Sequence, residues 1–234
     1  MPKDDLVGDI FGWVGTCISM FFYIAPVVPF LKLIKGKITY KESPGLLLLC
    51  SFMNCMLWVD YGLRKSNFQV YFANGLGGCF TLVYITIFLI YVSRLRILWA
   101  LLYNLILLVV ISGIFILCFY VVAKGVTGTI AMVFNILMYA APGEKMITIC
   151  RTGNYNLIPI WSTIGGGICA IAWGIFGLYK SDWNLAIPNI LGTIFSILQL
   201  IIYLIYRKKA KAKEKEKEKP SNETQTEVEI KNQK

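Results

Sequence analysis

Two asparagines and two tryptophans sit inside apolar stretches at one shared spacing: Asn74 and Asn189 are 115 residues apart, as are Trp58 and Trp173. A carboxamide offers donors and an acceptor without fixing a charge, which suits an uncharged solute rich in hydroxyls. An indole can cover the apolar face of such a solute while amides take its rim, the mixed lining typical of ligand pockets. Taken singly, each residue has a plainer explanation. A lone Asn in a membrane helix usually bonds to a neighbouring helix, and Trp is common in the interfacial belt. The shared spacing argues against both, because equivalent residues of a twofold repeat converge on its axis.

The repeat extends well beyond these four positions. Tyr23-Ile-Ala-Pro26 recurs as Tyr139-Ala-Ala-Pro142, an offset of 116, and Tyr61-Gly-Leu-Arg-Lys-Ser-Asn-Phe68 is echoed 115 residues on by Phe176-Gly-Leu-Tyr-Lys-Ser-Asp-Trp183. The same offset of 115 carries Pro44 to Pro159 and Gly77 to Gly192. Proline removes a backbone donor and kinks a helix, which membranes tolerate where partners or a cavity satisfy the freed carbonyl. Pro26, Pro44, Pro142 and Pro159 form two repeat-related pairs and are read as hinges rather than static kinks. Gly165-Gly166-Gly167 has neither the strand nor the following lysine of a phosphate loop, and is read as a site of close helix packing.

The elements that position these residues must be membrane helices. The chain of 234 residues is 57% apolar and only 15% charged, with mean hydropathy +0.64, whereas soluble domains carry roughly 25% charged residues. Apolar runs at about 10–31, 45–63, 68–92, 97–123, 127–150, 157–178 and 184–206 approach or exceed the roughly 20 residues that cross the hydrocarbon. The first lacks a basic leader and follows Asp4, Asp5 and Asp9, so it reads as a retained span.

Alternate loops and the tail hold eighteen of the 23 basic residues, leaving five on the other side. That bias places the N-terminus outside and the C-terminus in the cytosol. The plasma membrane is expected rather than an internal one. The net charge of +10 comes largely from a Lys- and Glu-rich tail, so a nucleic-acid partner is not expected. That tail, 207–234, is expected to be disordered and solvated, with lipid headgroups a lesser option for Arg207, Lys208 and Lys209. The seven cysteines lie in or beside apolar runs without a CxxC pair, and histidine is absent. No metal, no cofactor and no catalytic residue is expected.

Three spans reverse direction, so a direct tandem copy of three would be inverted, and an extra span restores it. The chain therefore divides into a first repeat at 1–92, a linker helix at 93–126, a second repeat at 127–206 and the tail. The fold class is an all-α membrane protein with seven transmembrane helices: two parallel three-helix bundles joined by the linker. Parallel repeats about an axis along the membrane normal are a transporter architecture, with the substrate near the midplane.

The order and spacing of several segments resemble the SWEET sugar transporters over about 200 residues. These are Ala25-Pro26, Asn54-Cys55 leading to Tyr61-Gly62, Asn74-Gly75 with Val83-Tyr84, Met138-Tyr139-Ala140-Ala141-Pro142, Trp173, and Ala186-Ile187-Pro188-Asn189. The resemblance implies facilitative, bidirectional movement of a sugar by alternating access, with the lipid bilayer as surroundings. It implies that Asn74, Asn189, Trp58 and Trp173 bind substrate, that the prolines act as hinges, and that Tyr61 and Asp182 form an outer gate. Many members have a small residue where Trp58 stands, so a narrower cavity and a monosaccharide such as glucose are expected. The family's usual proline position falls here on Leu47, and Pro44 is taken as the hinge instead, at the spacing that the second repeat uses between Pro159 and Trp173. Asp60 is left without a role. A homo-oligomer is compatible with this plan, but one chain already contains both repeats.

Three other readings compete with this one. A PQ-loop carrier of amino acids or cystine, driven by protons, would show Pro-Gln dipeptides, where this chain has Pro26-Val27 and Pro142-Gly143. A membrane enzyme would need clustered carboxylates, or a Ser or Cys with a base. A scaffold would not need polar residues on the repeat axis.

Overall fold

The computed structural model describes the backbone of residues 3–37, 45–92, 94–121 and 124–232, with side chains over 6–37, 47–92, 94–113, 126–139 and 142–215. Among these residues every regular element is helical: α1 (Lys3–Ile24), α2 (Val27–Ile34), α3 (Gly45–Arg64), α4 (Phe68–Tyr91), α5 (Ile97–Val121), α6 (Lys124–Leu137), α7 (Ala140–Thr152), α8 (Ile160–Tyr179) and α9 (Trp183–Asn232), with a short 3-10 turn at Tyr155–Leu157. Two pairs, α1–α2 and α6–α7, are single spans interrupted by a break, which gives seven spans. Leu6–Ile34, Phe68–Tyr91, Val126–Thr152, Ile160–Tyr179 and Trp183–Lys215 are each long and apolar enough to cross a membrane, and Ile97–Gly113 is a shorter apolar stretch. In α3 the apolar character is diluted by Asn54, Asp60 and Arg64.

The first break follows from Pro26, which has no N–H to give the carbonyl four residues back. Pro26 itself caps α2, and Phe30 N–H donates to its carbonyl at 3.0 Å. Beside the break the Tyr84 hydroxyl donates to the Tyr23 carbonyl at 2.5 Å, so a neighbouring helix satisfies backbone that the kink exposes. The second break lies at Met138 and Tyr139, ahead of its proline. Pro142 falls in the first turn of α7, where a missing N–H costs little. Pro159 precedes α8, its carbonyl accepting from Thr163 N–H at 3.0 Å. Pro44 lies outside the described residues.

The chain divides into two compact units, Met1–Met138 with Cys169–Leu191, and Tyr139–Ile168 with Gly192–Lys234. In the first, the core gathers Trp58, Tyr61, Val70, Ala73, Ala131, Trp173, Phe176 and Leu185. Repeat-related glycines admit it. A Cβ on Gly12 would come within 2.9 Å of Phe176 Cδ2, and one on Gly128 within 2.8 Å of Tyr61 Cδ2. Gly12 and Gly128 are 116 apart, Tyr61 and Phe176 115 apart, so each repeat packs its first span against the other repeat's second. In the second unit Tyr139 stacks on Phe195 at 5.3 Å. A Cβ on Gly167 there would meet Ser196 Cβ at 3.1 Å, in keeping with close packing at the glycine run.

In the described backbone α9 runs on through the tail to Asn232. Composition predicts disorder because this segment has little to bury. Ala210, Ala212 and the Lys and Glu residues up to Lys219 are nevertheless good helix formers, and a preformed helix removes the cost of nucleation.

Candidate functional site

Within the first unit a cavity of about 160 Å³ brings together all four residues singled out by spacing: Trp58, Asn74, Trp173 and Asn189. Each helix contributes through one face. α3 supplies Asn54 and Trp58, α4 supplies Val70 and Asn74, α9 supplies Leu185 and Asn189, and α1 supplies Ser19 and Tyr23, each pair at i,i+4. α6 adds Asn135 and α8 adds Trp173. The lining thus holds hydroxyls, amides, indoles and two aliphatic side chains, and no ionisable acid or base apart from the Tyr23 phenol.

The internal symmetry reaches individual bonds. Asn74 Nδ2 donates to the Val70 carbonyl at 2.8 Å and Asn189 Nδ2 to the Leu185 carbonyl at 2.7 Å. Each amide therefore commits a hydrogen to its own helix, which fixes how the carboxamide is presented. Trp58 sits edge-on to Tyr61 and Trp173 edge-on to Phe176, both at 5.6 Å between centroids. Both indoles are buried, at 4% and 8% exposure. Trp173 Nε1 donates to Ser19 Oγ at 3.1 Å.

Ser19, Tyr23, Asn54 and Asn135 were not picked out as site residues from the sequence. A signal existed for two of them: the offset of 116 that links Tyr23 to Tyr139 also links Ser19 to Asn135. Asn54 breaks the symmetry, since its equivalent 115 residues on is Cys169. The Asn54 Oδ1 atom is buried and has no hydrogen-bond partner among the described residues. A buried carbonyl oxygen of this kind demands a donor from a ligand or a water. Tyr23 is held in place by a gap in α4, because a Cβ on Gly77 would lie 2.6 Å from Tyr23 Cε1.

At the α3 end away from the breaks, Tyr61 Oη donates to Asp182 Oδ1 at 2.6 Å. Asp182 also accepts from Leu185 N–H at 3.3 Å, capping α9. Nearby Lys180 pairs with Asp9 at 2.9 Å, both side chains partly exposed. Asp60, unassigned from sequence, pairs with Arg64 Nε at 2.7 Å in a buried i,i+4 contact. A buried ion pair of this kind balances desolvation against attraction, which gives Asp60 a structural partner. Among the described residues no cluster could hold a metal ion.

Known proteins align with this arrangement along most of its length. A solved structure of a eukaryotic SWEET transporter superposes with a TM-score of 0.76 at 23% identity, covering 88% of this chain and 99% of that one, which establishes the fold. The bidirectional sugar transporter SWEET7 of Arabidopsis thaliana is 30% identical over 213 residues, 87% of this chain and 82% of the relative. The bidirectional sugar transporter NEC1 of Petunia hybrida is 32% identical over 217 residues, 88% of this chain and 79% of the relative. The sequence pattern of the family described as sugar efflux transporters for intercellular exchange matches twice, at 9–96 and 125–211. The two matches fall on the two internal repeats, either side of α5, and on that evidence the chain belongs to the family of sugar efflux transporters for intercellular exchange.

Proposed function

We propose that this chain is a facilitative, bidirectional uniporter for a monosaccharide such as glucose, working by alternating access, with Asn74, Asn189, Trp58 and Trp173 as the substrate contacts. One observation carries the reading: four residues chosen by a repeat offset line a single cavity with no carboxylate or ammonium in it. Paired amides and hydroxyls match the rim of a pyranose, and the indoles match its C–H faces. A volume of about 160 Å³ lies below the roughly 300 Å³ at which pockets for drug-sized ligands begin, which favours one sugar ring over two. A lining without a carboxylate supports a uniporter over a proton-coupled carrier.

Tyr61 and Asp182 serve in this reading as the outer gate, and Pro26, Pro44, Pro142 and Pro159 as hinges. The basic loops and tail orient the N-terminus outward and the C-terminus to the cytosol, in the plasma membrane. Uptake of radiolabelled glucose into proteoliposomes, with and without a pH gradient, tests the proposal. Saturable uptake that ignores the gradient and is lost in Asn74→Ala and Asn189→Ala is expected. Uptake driven by the gradient, or wild-type rates in both variants, would overturn it.

A further inference from the structure

Beyond the transport site, we infer that the first turns of α9 past the last span form a seat for an anionic phospholipid. One face of α9 carries Leu204, Arg207, Lys208, Lys211, Ala212 and Lys215 together. The spacing i, i+3, i+4, i+7, i+8, i+11 puts all six on one helix face. Two of the six are aliphatic and four are cations. Among the described residues no ion pair reaches Lys208, Lys211 or Lys215.

Position selects the occupant. The apolar part of α9, Trp183 to Tyr206, rises about 36 Å at ~1.5 Å per residue, slightly more than the ~30 Å hydrocarbon layer. Arg207 therefore stands at the hydrocarbon boundary and Lys211 about 6 Å beyond it, at headgroup depth. Tyr203 and Tyr206 mark the same level as interfacial aromatics, with the Arg207 guanidinium 5.8 Å and the Lys209 ammonium 5.1 Å from their respective ring centroids. Five cations occupy 207–213 before the first acid, Glu214, so positive charge is concentrated where phosphates lie. Aliphatic side chains at the hydrocarbon boundary with cations just beyond match an acyl chain and its phosphodiester at the same depths, which a nucleic acid does not provide.

The test uses the purified full-length chain in detergent, with native mass spectrometry reading retention of added phosphatidylserine against phosphatidylcholine. Wild type should prefer phosphatidylserine at least tenfold. Lys208→Ala with Lys211→Ala should weaken phosphatidylserine binding about 25-fold, at roughly fivefold per cation near a membrane surface. Lys209→Ala with Lys213→Ala, which removes equal charge from another face of the helix, should change it less than threefold. Equal losses in the two variants, or no preference in wild type, would overturn the seat. Competition by glycerophosphoserine or polyglutamate at the same concentration as the lipid would overturn it too, pointing to a free phosphodiester or an acidic protein segment instead.

Discussion

Tyr61 and Asp182, 121 residues apart in the chain, meet through a phenol that donates to a buried carboxylate at 2.6 Å. The pair ties the end of the first repeat's second span to the start of the second repeat's third. Because Asp182 also caps α9, the contact holds both a side chain and a helix start.

Tyr61→Phe keeps the ring packing and removes only the donor. Leaving a buried acceptor short of one partner costs about 1–3 kcal/mol. Exchange of the amides from Lys180 to Leu185 should speed by about tenfold, at ~1.4 kcal/mol per decade. Unchanged protection by hydrogen exchange would show that the contact does not hold this turn closed.

Gly77→Ala forces a methyl against the Tyr23 ring. Overpacking of this kind costs about 1–3 kcal/mol, and the displaced ring should also obstruct uptake. Combining it with Tyr23→Ala should recover part of that cost, a coupling that a double-mutant cycle on thermal melts measures. Strict additivity would mean that the two positions do not press on one another.

Asn54→Cys restores the symmetry with Cys169. Because Asn54 Oδ1 has no protein partner among the described residues, its removal should leave the melting temperature level or raise it. If the solute supplies the missing donor, KM for uptake should rise about tenfold, the worth of one hydrogen bond near ~1.4 kcal/mol. A lower melting temperature with unchanged KM would make Asn54 a packing residue.

Trp58→Gly opens the cavity on one side. Loss of a buried indole costs about 3–5 kcal/mol in stability, so the readout is selectivity in reconstituted vesicles. Sucrose uptake should appear relative to glucose. Selectivity identical to wild type would place Trp58 outside the permeation path.

Much of this architecture could be read from the chain because the repeat constrains it twice over. Trp58 with Trp173 and Asn74 with Asn189 were found through one offset, and the interlocked packing places both pairs around one space. Tyr61 and Asp182 were paired through the family resemblance alone, since they are not repeat equivalents: 115 past Tyr61 stands Phe176. Asn54 was missed because its partner position holds Cys169, so a search by symmetry passes over it. The break at Met138 was placed at Pro142 by sequence, since proline marks a lost hydrogen bond but not which residue yields.

A lining of amides, hydroxyls and indoles has an electrical consequence. A carrier whose binding site bears no fixed charge, and whose solute bears none, moves no charge through the transmembrane field when it reorients. At roughly 2.3 kcal/mol per elementary charge per 100 mV, a single buried lysine or aspartate in that space would have made turnover voltage-dependent. On the proposed uniporter reading, the direction of net flux would answer to concentration alone, and a cell could fill or empty through the same molecule at any resting potential.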